Sequence, residues 1–189
     1  MNIADMNHLA LAQKDGSAPT TLLACSAPGE SGVAIQCVRF RDALHLTGNP
    51  RQHLVCFQLG QARFDCRIGG RMLQHKPQAG SLAICPAGCD CAADADDSID
   101  AIIISIDPFR LALAAAEDSA LEAQVMERLS GHDHALLSVA RTMVCEGAGA
   151  YPSGPFFWNE LAGVLSTRSL RATPPALRLR CAPCWARTF

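Results

Sequence analysis

The stretch HLVCFQLGQARFDCRIGGR at residues 53–71 decides the architecture. Residues 53–60 form an apolar run of strand length. Residues 61–68 then alternate, with Phe64, Cys66 and Ile68 on one face and Arg63, Asp65 and Arg67 on the other, the two-residue period of a half-buried strand. Gly69-Gly70 tolerates the positive φ angles of a tight hairpin, and residues 71–76 return as its second strand. Working outward, residues 33–40 (VAIQCVRF) are apolar and β-branched enough for an earlier strand. Residues 81–85 (SLAIC) make another, entered through Pro77-Gln78-Ala79-Gly80 and left through Pro86-Ala87-Gly88. Residues 98–106 add one more through Ile102, Ile103, Ile104 and Ile106. Several short strands at this spacing predict a sandwich or small barrel over 33–106.

Residues 1–32 read differently. Asp15-Gly16-Ser17 and Ala27-Pro28-Gly29 are turn formers, and the segment is expected to be a flexible arm. After residue 106 the period changes. Asp107 is suited to cap a helix whose first position takes Pro108. Asp133 is placed to cap a second, with Leu136, Leu137, Ala140, Met143 and Val144 on one stripe and Gly147 expected to end it. Ser153 is placed to cap a third, where Phe157, Leu161, Val164 and Leu165 fall at helical spacing. A short loop containing Gly and Pro favours an antiparallel hairpin of these two helices. Strands first and helices over 107–171 make an α+β chain. Two prolines stop the last helix at Thr173, and the tail over 172–189 (…TPPALRLRCAPCWARTF) has no acidic residue and no period. It reads as irregular, either a natural tail or an out-of-frame segment.

The bulk numbers fit one domain of 189 residues that is 49% hydrophobic and 18% charged. A net charge of −2 and no basic run argue against nucleic-acid binding by this chain alone. The first thirty residues hold Asp5, Lys14, Asp15 and Glu30 and no long apolar run, so neither a signal peptide nor a membrane anchor is expected, and the location is expected to be cytoplasmic. Most of the ten cysteines, among them Cys37, Cys56, Cys66 and Cys85, lie inside strand-like runs, where reduced thiols act as small core hydrophobes.

The order of these segments resembles the N-terminal effector-binding and dimerisation domain of AraC/XylS transcription regulators. The resemblance rests on residues 53–71, on PQAGSLAICPAG at 77–88, on IDAIIISIDPFRL at 99–111 and on FFWNELAGVLSTRSLR at 156–171. It covers roughly residues 33–171, and its specificity lies in the order of the pieces. It implies a cupin-like antiparallel β-barrel that takes a small-molecule effector, followed by a helical hairpin that dimerises. The family continues into two helix-turn-helix units, for which residues 172–189 leave no room, so the expected function is that of a truncated regulator that does not bind DNA by itself. Partners are expected to be the effector and a second copy or a full-length relative.

Inward-facing strand residues, taken as Val55, Phe57, Phe64, Cys66 and Ile84, are the expected effector contacts, with plain core filling as the competing role. Phe157, Leu161, Val164 and Leu165 are expected to dimerise or to pack on the preceding helix. No catalytic residue and no cofactor is expected. The alternative is a cupin-type metalloenzyme or a thiol-metal protein. The His-x-His pair such an enzyme would use is missing from the early strands, and His53 and His75 are expected at an edge or facing solvent. Cys85, Cys89 and Cys91, with His75 as a fourth group, have a spacing that could clasp zinc or sense redox. Cys181 and Cys184 have C-x-x-C spacing without a second pair. In His132-Asp133-His134 the aspartate is better explained as a cap than as a ligand.

Overall fold

The computed structural model describes residues 9–13, 20–26, 31–41, 44–48, 50–75, 78–95, 97–117 and 128–171. In chain order the strands are β1 (Leu9–Gln13), β2 (Thr20–Ser26), β3 (Val33–Phe40), β4 (Leu44–Gly48), β5 (His53–Gln58), β6 (Phe64–Ile68), β7 (Arg71–His75), β8 (Ser81–Cys85), β9 (Cys91–Ala95) and β10 (Ile99–Ile106). Then follow helix α1 (Pro108–Glu117), strand β11 (Arg128–His132) and helices α2 (His134–Ala148) and α3 (Pro155–Arg171).

The strands form two antiparallel sheets, one of five in the order β1-β4-β9-β6-β7 and one of six in the order β11-β8-β5-β10-β3-β2. The β6–β7 hairpin turns on Gly69 and Gly70 at φ 56° and 82°, values that an L side chain rarely adopts. In the six-stranded sheet alternate residues serve two cores. Leu54 and Cys56 of β5 and Ile99 and Ile103 of β10 meet Ile68, Cys91 and Ala95 of the other sheet, filling the space between them. Val55 and Phe57, with Ile102, Ile104 and Ile106, point the opposite way into a larger cluster with Leu111, Leu136, Met143, Trp158 and Leu165 of the helices. The layers are therefore helices, six-stranded sheet, five-stranded sheet, and α3 packs on both α1 and α2.

Two of the three helix caps expected from sequence form. Asp107 Oδ1 accepts from Phe109 N at 2.7 Å, and Asp133 Oδ1 accepts from Leu136 N at 2.9 Å. Four readings are corrected. The arm expected over 1–32 contains β1 and β2, and β2 pairs with β3 along residues 20–26, which buries Cys25. The region read as wholly helical contains β11, which pairs with β8. Gly147 does not end α2, which continues to Ala148 with Gly149 as its cap. A methyl at Gly147 would overlap Cys25 Sγ and lie 2.9 Å from its Cβ, so the glycine lets α2 approach β2. Ser153 does not cap α3 either. Its hydroxyl and backbone N–H both donate to the buried carboxylate of Glu146, at 2.8 and 3.1 Å, which ties the inter-helix loop to α2.

That loop carries two left-handed non-glycine residues, Ala150 at φ 57° and Tyr151 at φ 62°. Tyr151 is held at both ends: its hydroxyl donates to the Ser26 carbonyl at the close of β2, and its ring meets Trp158 edge-on at 5.3 Å. The strands β4 and β9, LHLTG and CAADA, carry little β-propensity, yet each is paired on both sides and the sheet context overrides composition.

Candidate effector site between the sheets

Gln58, the last residue of β5, continues the inter-sheet face of Leu54 and Cys56 and is only 5% exposed. Neither its Oε1 nor its Nε2 has a hydrogen-bond partner. An orphaned buried amide costs about 1–3 kcal/mol, and such groups mark places where water or a ligand completes the bonding. The strand residues across from it and next to it are Ala101 and, two places along β3, Phe40. Separately, an open depression of 460 Å³ is lined by Arg39, Phe40, Arg41, Leu59, Gly60, Ser98 and Asp100, without Gln58. A cross-strand ion pair borders it, with Arg39 Nε and one terminal nitrogen donating to the two Asp100 oxygens at 2.7 and 2.8 Å. The Asp100 carboxyl is accordingly held below the usual carboxylate range. Side-chain hydrogen bonding by an exposed fork of this kind fixes β3 against β10 more than it adds stability.

The five residues expected to line the cavity do not share one face. Val55, Phe57 and Ile84 are brought together, but on the helix side of the six-stranded sheet, where each is fully buried against the helical layer. They fill the core there, and the inward assignment of these three is corrected. Cys66 lies on the other side, in electrostatic contact with Cys56 and Cys91. Phe64 stands in β6, and its side chain lies outside the described residues. Gln58 was missed because a single polar residue ending an apolar run has the look of a strand terminus.

The inter-sheet space also gathers thiols. Cys85 and Cys91 belong to one small cluster with Leu54 and Ile68, and Cys56 and Cys89 pack against it. Burial pushes the Cys56 thiol up to about 12 and the Cys66 thiol up to about 11, with Cys91 adding to both. Among the described residues no group of three or more His, Cys, Asp and Glu is placed to hold a metal ion. The side chain of His75 and the Cys181–Cys184 pair lie outside the described residues. His53, expected at an edge or facing solvent, is half-buried instead: its Nδ1 accepts from Ala87 N at 3.1 Å and clamps the turn after β8. His132 and His134 stack at 6.3 Å on the surface around the Asp133 cap.

On α3 the predicted residues divide. Leu165 is fully buried in the chain's own core with Leu136, Leu137, Ala140 and Met143, the packing that was one of its two expected roles, and it is not on the surface offered to a partner. Leu161 is partly buried against the same core, Phe157 is half-buried and Val164 is 39% exposed, so these three leave an apolar stripe at i, i+4 and i+7 partly open. Phe156, on the same helix, is 89% exposed. No helix among the described residues is long and apolar enough to cross a membrane.

No protein-family model matches the chain, and no curated protein matches it. Solved structures do. The AraC-like transcriptional activator CuxR superposes with a TM-score of 0.60 at 11% identity, over 94% of this chain and 66% of that one. This chain thus spans just under two thirds of the activator's length. A cupin domain from Bordetella pertussis Tohama I matches over 47% of this chain and 91% of its own, with 13% identity and a TM-score of 0.37. An RmlC-like cupin protein with a double-stranded β-helix fold from Methanocaldococcus jannaschii matches over 50% of this chain and 85% of its own, with 7% identity and a TM-score of 0.37. The fold of this chain is α+β and cupin-like, two facing antiparallel sheets followed by helices.

Proposed function

We propose that the chain is the effector-sensing and dimerisation part of an AraC-type regulator, non-catalytic and without a DNA contact of its own. One observation supports the reading: a cupin-like barrel with an orphaned polar side chain inside it is followed by a helical hairpin with a partly open apolar stripe, in a chain that superposes on CuxR over 94% of its length. The effector sits between the sheets and supplies the missing partners of Gln58. The pair forms through Phe157, Leu161 and Val164, either between two copies or with a full-length relative. A net charge of −2 supports a role that does not rest on phosphate contacts.

Two measurements test the two halves. Sedimentation of the wild-type chain is expected to give a dimer, and Val164→Arg a folded monomer, because that side chain is outside the core. A wild-type monomer at the highest soluble concentration sinks the pairing role. For sensing, a thermal-shift screen of small polar molecules is expected to return ligands that stabilise the chain by about 2.7 kcal/mol at a hundred times Kd. Gln58→Leu is expected to abolish that shift while leaving the free chain as stable or more so, since it removes an unpaired amide. A ligand that stabilises Gln58→Leu as well as the wild type would place the effector elsewhere.

A further inference from the structure

The strand register places the Gln58 side chain. Its partner across the ladder is Ala101 of β10, and Ala101 in turn faces Val38 of β3. Residues directly opposite in antiparallel strands share one face of the sheet, so the three form a row. Val38 belongs to the cluster between the sheets and Ala101 packs against it, which puts the Gln58 amide on that side too. The buried members there are Val38, Phe40, Ala62, Ala95, Ile99 and Ile103, none with a side-chain donor or acceptor. The charged residues of β3, β10 and β9 are Arg39, Asp100 and Asp94, and each alternates with members of that cluster, so their side chains point to the other faces. A buried amide with both atoms unpaired thus stands against an apolar, uncharged wall.

We propose that this site takes a neutral ligand with a cis-amide edge, a carbonyl oxygen and an N–H borne side by side on one carbon, as in a lactam, a cyclic imide or a cyclic urea. The proposal rests on the reading of Gln58 as the effector's anchor and names the chemistry of what it holds. The side-chain amide is donor and acceptor in one plane: Nε2 needs an acceptor and Oε1 needs a donor. A cis-amide edge offers both at once and closes two antiparallel hydrogen bonds with Gln58. A carboxylate has no proton for Oε1, and an ammonium has no acceptor for Nε2. Either ion would also lie desolvated beside a wall without a countercharge.

The same wall disfavours neutral polyols. Two hydroxyls could meet the two amide atoms, but every further hydroxyl would be buried against alanine, valine and isoleucine. An unpaired buried hydroxyl loses more than a completed hydrogen bond returns. A ring that is apolar apart from its amide edge leaves no polar group unpaired, and its methylene groups displace water from the cluster. Two polar contacts and an apolar body are the complement of one amide in an apolar wall.

The test titrates the full chain at neutral pH with γ-butyrolactam, δ-valerolactam and ε-caprolactam, following binding by saturation-transfer NMR. Each is compared with its lactone, which lacks the N–H, and with its N-methyl derivative, in which a methyl blocks the edge. At least one lactam is expected to bind about tenfold more tightly than both of its analogues, because each analogue leaves Oε1 unpaired. In Gln58→Leu that preference is expected to disappear. Equal binding of lactam, lactone and N-methyl lactam by the wild type overturns the proposal. So does a preference that survives in Gln58→Leu, and so does the absence of lactam binding. The sensing role has a separate fate: a Gln58-dependent ligand of another class, such as a polyol, keeps it and overturns only the cis-amide assignment. The wild-type comparison of analogues decides the matter even if Gln58→Leu folds poorly.

Discussion

At the residue scale, His53 shows how a side chain without a period acquires a role from the fold. Its Nδ1 accepts a hydrogen bond from Ala87, 34 positions away, and no local pattern announces such a contact. Burial lowers its pKa from the ordinary 6.5, and Asp107 opposes that with a smaller pull upward. Protonating Nδ1 would also remove the acceptor. The folded pKa is depressed, so between the folded and the unfolded values the unfolded chain binds the extra proton, and stability increases with pH across that window. The contribution is complete above about 6.5 and is lost as the pH falls through and below it. Melting temperature is expected to be level above about pH 7 and to fall towards pH 5, with the fall reduced in His53→Asn, whose amide can accept without titrating. Parallel profiles for the two proteins in calorimetry would remove His53 as the cause.

At the scale of elements, the two helix caps at Asp107 and Asp133 are legible in sequence because capping is local, decided by one side chain and the amides two or three residues on. Gly147 is not legible, because its reason is Cys25, a residue from a strand far earlier in the chain. Propensity and packing make opposite forecasts for Gly147→Ala. Propensity favours alanine inside a helix by about 1 kcal/mol. Overpacking a tight contact costs about 1–3 kcal/mol. The overlap with Cys25 decides for packing, and the variant is expected to be less stable in urea unfolding. Part of the loss should return in the Cys25→Ala/Gly147→Ala double variant, which frees the sulfur's volume. Additive effects would mean that the two sites are not coupled. The same remoteness hid β2, β4, β9 and β11: TTLLACS, LHLTG, CAADA and RLSGH become strands through their partners and not through their own composition.

On the scale of the whole molecule, one cluster runs from Val33 and Ile104 in the sheet to Trp158 and Leu165 in α3, so the barrel and the helices have no core boundary between them. They are expected to unfold together. In a Trp185→Phe chain, where Trp158 is the sole tryptophan, its fluorescence and the far-ultraviolet signal of the sheets should give one coincident thermal transition. Separate midpoints would show the hairpin to be an independent unit. The fold class was readable because strand and helix periods differ, whereas the inward face was not. Leu54 and Cys56 are as apolar as Val55 and Phe57, since both sides of β5 are covered, and a continuous apolar run does not say which side is which. That double coverage has an evolutionary cost. Deleting one residue from the middle of β5 would turn every following side chain over and exchange the barrel's lining with the helix seat in one step. Such strands can drift by substitution but are closed to small insertions and deletions, so length changes among descendants of this chain should gather in the turns and spare β5 and β10.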